Sequence, residues 1–149
     1  MRTLGYEGSV ECEAQADFFA KSLSLSRLSS PCFIKAFMCS PFASSYDHGI
    51  VLELSSFFSF EEPYQKSEAK MRYDKDAIYW MGYFYRYLVY TREVSSRQVY
   101  HAIPASILYS FYKPYHSFDN EKAAVQILSL YPLFPANQLQ VLRKYFASE

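Results

Sequence analysis

The segment from Asp76 to Arg92, DAIYWMGYFYRYLVYTR, constrains this chain more than any other. Its apolar residues do not fall on one stripe. Ala77, Met81, Phe84 and Leu88 form one line at helical spacing, Ile78, Gly82, Tyr85 and Val89 a second, and Trp80, Tyr87 and Thr91 a third. A helix that is apolar nearly all round is either buried or spans a membrane. The uncharged stretch Ala77–Tyr85 ends at Arg86, far short of the ~20 residues a bilayer requires. The pattern therefore predicts a central core helix, capped by Asp74 or Asp76. Gly82 in its middle costs about 0.5–1 kcal/mol against alanine, which is worth bearing where another helix crosses closely.

Capping signals around this helix predict more helices. Glu11 to Leu23 places Ala16, Phe19, Ala20 and Leu23 at helical spacing, and the Ser-rich residues after it read as a loop. Ser30-Pro31 and Ser40-Pro41 are helix starts, with Ser as the cap and Pro in the first turn. Gly49 suits the left-handed end of the second of these. Residues 50–60 fit both a helix face and a strand face, and helix is preferred; Glu61-Glu62-Pro63 stops it, and 63–73 read as a loop. Ser95-Ser96-Arg97-Gln98 is a capping box, opening a short helix to Ile103. Pro104 opens the next, from Ala105 to Tyr112, which Lys113-Pro114 closes. Asp119 caps a helix through Leu130, with Ala123, Val125, Ile127 and Leu128 as inward candidates. Pro135 opens a last one carrying Leu139, Val141, Leu142 and Phe146. The expectation is an all-α fold: one domain over residues 1–149, a compact bundle of about seven helices around the central aromatic helix. A chain of 149 residues is long enough for such a core.

Composition narrows function by exclusion. Lys and Arg number 15, as do Asp and Glu, so the net charge is zero, and general nucleic-acid coating, which needs surplus cations, is disfavoured. Charge is uneven along the chain: residues 1–65 carry four basic and eight acidic groups, and residues 66–117 the reverse. Three cysteines, Cys12, Cys32 and Cys39, make no disulfide framework, and their spacing does not suit structural zinc. No cationic start leads into an apolar run, so a cytoplasmic protein without a signal peptide is expected. There is no nucleophile elbow and no glycine-rich phosphate loop among the four glycines. No cofactor, metal or intrinsic catalysis is expected.

Three constellations remain. Arg97 and His101 share a helix face, where the pair could stabilise charge and move a proton beside a phosphate; their separation departs from the wider one that small helical ribonucleases use. Residues 13–39 and Ser95–Tyr112 are candidate helix-turn-helix units for a DNA-binding regulator. In the first, though, Lys35 alone could contact DNA, among the core types Phe33, Ile34, Phe37 and Met38. The third constellation is Tyr79, Tyr83, Arg86 and Tyr90 on the central helix, with Tyr112 and His116 downstream. Tyrosine and arginine dominate binding hot spots, so these six are the candidate partner-binding residues. The competing reading is that Arg86 pairs with a buried acid and the tyrosines belong to the core.

The helix Tyr79-Trp80-Met81-Gly82-Tyr83-Phe84-Tyr85-Arg86-Tyr87, its continuation Tyr90-Thr91-Arg92, and Tyr112 to His116 with Asp119 together resemble small, mostly uncharacterised antitoxin-like proteins of Gram-positive bacteria. These are encoded beside toxin-like genes. The segment Ser30-Pro31-x-Phe33-Ile34-x-x-Phe37-Met38 is similar to their first half, and the likeness spans about residues 12–130. The resemblance implies a non-catalytic, protein-binding role that neutralises or regulates a toxin-like enzyme from a neighbouring gene. The motif is aromatic and structural and carries no chemistry of its own.

Overall fold

The structure is a computed structural model, and it describes residues 1–50, 53–60 and 71–133. The fold is all-α, and no strand occurs among the described residues. The helices are α1 (Gly5–Leu25), α2 (Ser30–Met38), α3 (Pro41–Asp47), α4 (Lys75–Arg92), α5 (Ser96–Ala102), α6 (Ala105–Ser110), α7 (Tyr112–Tyr115) and α8 (Asn120–Leu130). Leu54–Phe60 is a 3₁₀ helix, which settles most of the ambiguous stretch as helical. The expected stop at 61–63, the loop at 63–70 and the last helix from Pro135 lie outside the described residues.

Two long helices, α1 and α4, form the most extensive contact among the described elements, and Gly82 sets how closely they cross. A Cβ built on Gly82 would lie 2.8 Å from Phe19 Cγ, 2.9 Å from the Gln15 carbonyl oxygen and 3.0 Å from Ala16 Cα. Only glycine admits the backbone of α1 there. All three apolar lines of α4 are engaged: of the residues named on them, only Trp80 remains partly open. On the far side of α1, Phe18 and Phe19 meet Phe33 and Phe37 of α2 and Phe57 of the 3₁₀ helix, mostly edge to face, at centroid distances of 4.8–6.5 Å. Such pairs add stabilisation beyond area burial. Phenylalanines thus dominate this part of the core, and among the described residues most of the partly exposed rings are tyrosines.

Several local expectations shift. α1 is longer than its periodic stretch at both ends, running on through Ser22–Leu25 where a loop was expected; the Ser22 and Ser24 hydroxyls donate back to carbonyls three residues earlier, within the helix. The cap of α2 is Ser29, whose hydroxyl accepts from Cys32 N; Ser30 is the first helical residue. Ser40 caps α3 as expected, and Gly49 takes φ +79° beyond its end. Asp74 is the N-cap of α4 by backbone geometry, without a side-chain bond. Ser95 and Gln98 close both arms of the capping box. Pro114 sits inside α7 rather than ending α6. The break falls at Phe111 instead, and Pro114 lies in the first turn of α7, where its missing N–H goes unneeded. Asp119 caps α8, but Val125 is exposed; that helix turns Ala123, Ala124 and Ile127 inward.

Candidate functional site

Of the six residues singled out in sequence, Arg86 is corrected first. It is completely buried, its side chain about 1% exposed, and it pairs with Asp47 of α3 at 2.7 Å. It is not a surface anchor. Its Nε and Nη2 donate to the Gln15 side-chain oxygen at 2.9 and 2.8 Å, and Nη2 also reaches Ser96 Oγ at 3.2 Å. The guanidinium lies 4.3 Å from the centre of the Tyr46 ring. Asp47 in turn accepts from the Ser96 backbone N–H at 2.7 Å and its hydroxyl at 2.6 Å, at the first turn of α5. Gln15 donates to the Gly82 carbonyl at 3.0 Å. One arginine thus ties α1, α3, α4 and α5 together, and among the described residues no buried side-chain polar atom lacks a partner. Burying an ion pair is tolerable only when its remaining donors and acceptors are satisfied, as they are here.

The remaining candidates lie nearer solvent. Tyr79 is 38% exposed, Tyr83 and Tyr90 are half-buried, and all three share one line of α4 with the buried Arg86. Partial burial, helped by the nearby carboxylates of Asp17 and Glu13, holds the Tyr79 hydroxyl protonated to a higher pH than usual. The Tyr90 ring is covered by the Arg2 guanidinium, 3.7 Å from its centre, and Arg2 Nε donates to the Tyr90 carbonyl at 3.3 Å. Tyr112 and His116 come together: their rings stack at 4.4 Å, and His116 Nδ1 lies 2.8 Å from the Tyr112 carbonyl oxygen. Trp80 joins them edge-on to Tyr112 at 5.9 Å. Tyr87, by contrast, is buried, and its hydroxyl donates to Glu121, which also accepts from both terminal guanidinium nitrogens of Arg92.

The other constellations gain little from the geometry. Arg97 donates to the Cys39 carbonyl at 2.6 Å, so that hydrogen bond ties its guanidinium to the backbone, while His101 is exposed. α2 turns Phe33, Ile34, Phe37 and Met38 into the core and exposes Lys35. Cys12 is buried and its thiol is pushed up to about 12, mainly by burial. Among the described residues no group of three or more His, Cys, Asp or Glu is placed to hold a metal ion, and no helix is long and apolar enough to cross a membrane.

One feature went unread in the sequence. A polar cavity of about 630 Å³ opens above the Arg86–Asp47 pair, walled by Glu7 and Glu11 of α1, by Tyr90 and by Glu93. Glu93 ends α4 with φ +55°, a left-handed conformation that is uncommon outside glycine. The cavity draws its residues from three separate stretches of chain, 2–11, 47–49 and 86–98, so no local motif marked it. The four-residue spacing of Glu7 and Glu11 was the available signal.

No family model matches this chain, and no curated protein or solved structure matches it either.

Proposed function

We propose that this protein is a non-catalytic, antitoxin-like binding module that neutralises or regulates a toxin-like enzyme from a neighbouring gene. The observation that carries the reading is the partial exposure of Tyr79, Tyr83 and Tyr90 along one line of α4, a helix otherwise largely buried in the core. Aromatic rings held on a rigid element lose little entropy on docking and are typical anchors of binding hot spots. Trp80, Tyr112 and His116 extend the aromatic surface on α4 and α7. The anchors are therefore Tyr79, Tyr83, Tyr90, Tyr112 and His116, with Arg86 as their internal support. The resemblance of the Tyr79–Tyr87 helix and the Tyr112–Asp119 segment supplies the toxin-like partner, and a cytoplasmic setting is part of the same proposal.

DNA is a weaker partner on this reading. The second helix of the first helix-turn-helix candidate spends its apolar residues on the core, and in the second candidate Arg97 is held by the Cys39 carbonyl. Co-expression with each flanking gene product, followed by isolation of a complex, tests the proposal. A toxic neighbour that is silenced and co-purifies supports it. A neighbour that stays toxic, with no complex formed, ends it.

A further inference from the structure

We infer that residues 2–4 form a strap that masks Tyr90, so that a partner docking along the aromatic line of α4 must first lift Arg2 off that ring. This deepens the partner reading above and rests on it for Tyr90 as an anchor.

A turn and two backbone contacts build the strap. Gly5, the first residue of α1, takes φ +60°, a left-handed conformation that costs glycine little and strains other residues. Leu4, just before it, fixes the base: its carbonyl accepts from the Gly8 N–H at 3.0 Å, and its side chain packs partly buried against the core. Beyond this base the chain crosses the end of α4. The Arg2 N–H donates to the Thr91 carbonyl at 2.7 Å, and Arg2 Nε donates to the Tyr90 carbonyl at 3.3 Å. Both carbonyls belong to the last turn of α4, where the helix has no N–H to offer them. The Arg2 guanidinium then covers the Tyr90 ring, 3.7 Å from its centre, and its charge suits the negative end of the helix.

Position and strength together make this contact a mask and not a fixed part of the core. Tyr90 closes the line that begins with Tyr79 and Tyr83, and of these three rings it alone has a cation over its face among the described residues. The ring is therefore not bare like its neighbours on that line. The cover is light, however. Arg2 and Thr3 are exposed, and the side-chain bond of Arg2 lies in solvent. A cation–π contact and a hydrogen bond are each worth little where water competes, so the strap lies closed in most molecules and opens readily in the rest. A partner that needs the bare ring sees its affinity reduced by the open fraction. Contacts of this strength set that reduction at about five- to tenfold.

Masking is tested first in the free protein, by photochemically induced nuclear polarisation with a flavin dye, which reads the accessibility of each tyrosine ring. The Tyr90 signal should be weak in the wild type and rise several-fold in Arg2→Ala, with Tyr79 unchanged. An equal Tyr90 signal in the two proteins overturns the inference. Binding is tested with the neighbouring gene product that co-purifies. Arg2→Ala should bind it about five- to tenfold more tightly than the wild type, and Arg2→Lys, which keeps the charge but not the planar stack, should fall between them. The gain should vanish when Tyr90→Ala is added, or Tyr90→Leu should the alanine variant fold poorly. Equal or weaker binding by Arg2→Ala overturns the inference and leaves the partner reading standing. Failure of every neighbour to form a complex ends the partner reading, and the inference with it.

Discussion

Arg86 shows how one residue can be read two ways. In sequence it stands among tyrosines, like an interface anchor; in the fold it is the most enclosed charge among the described residues. Its acid, Asp47, lies 39 positions away and reads in sequence only as part of a helix end, so the pairing could not be read from spacing. Removing either partner leaves the other buried and unpaired, which costs about 3–5 kcal/mol. Arg86→Leu and Asp47→Leu should each show that loss in urea unfolding, and the double variant should lose clearly less than the sum. Additive losses would mean that the pair is not coupled. Glu11 carries the opposite sign. Its folded-state pKa is raised, so its charge penalises the folded state at neutral pH, and the penalty fades as pH falls through that raised value toward the unfolded one. Glu11→Gln should therefore raise the Tm at pH 7, by at most about 2 °C given its partial exposure, and the gain should vanish in acid. A lower Tm at pH 7 would refute this.

The helices were legible wherever a local rule governed them. The capping box at Ser95–Gln98 needs only four residues, and both of its bonds are made. Gly82 was legible because a glycine inside an apolar helix has few other uses. The inward face of α8 was misjudged because Val125, two places beyond Ala123, lies about 200° around the helix from it. Hydrophobicity alone does not choose between those faces; the position of α4 does. The two helical glycines at the α1–α4 crossing make a contrasting pair. Gly82→Ala gains helix propensity, about 1 kcal/mol, but drives a methyl into the Gln15 carbonyl and the Ala16 backbone, so a net loss of about 1–3 kcal/mol is expected. Gly8→Ala meets side-chain atoms alone, Leu4 Cδ1 and Cγ and the edge of the Tyr90 ring, with no backbone in the way, and should cost less than Gly82→Ala, about 1 kcal/mol or below. Thermal melts of both variants check the contrast, which fails if Gly8→Ala is the more damaging.

Across the whole molecule, the fold class could be read from the chain but the arrangement of surface rings could not. The order of helices follows from caps and prolines, whereas exposure of Tyr79 and burial of Tyr87 depend on where α1 and α8 come to rest. Once a partner is in hand, Tyr79→Ala and Tyr83→Ala should each weaken binding by about 2 kcal/mol with the circular dichroism unchanged. A fallen melting temperature with unaltered affinity would return both to the core. Acid should act through Glu121, whose carboxyl is held below its ordinary value, chiefly by hydrogen bonds from Arg92. That support is complete above the unfolded-state pKa and is lost as pH falls through the lowered folded value. The wild type should therefore lose stability over that range faster than Glu121→Gln, in chemical unfolding followed against pH; parallel profiles would remove Glu121 from the acid response. The crossing at Gly82 also bears on how the chain is made. α1 leaves the ribosome first, yet the groove that accepts Phe19 does not exist until α4 follows, about 70 residues later. At roughly 5–20 residues per second, the side of Phe19 that packs on α4 stays uncovered for several seconds in every round of synthesis, even once Phe33 and Phe37 have reached its other side. The newborn chain is thus most prone to aggregate or be cleaved just before its central helix appears.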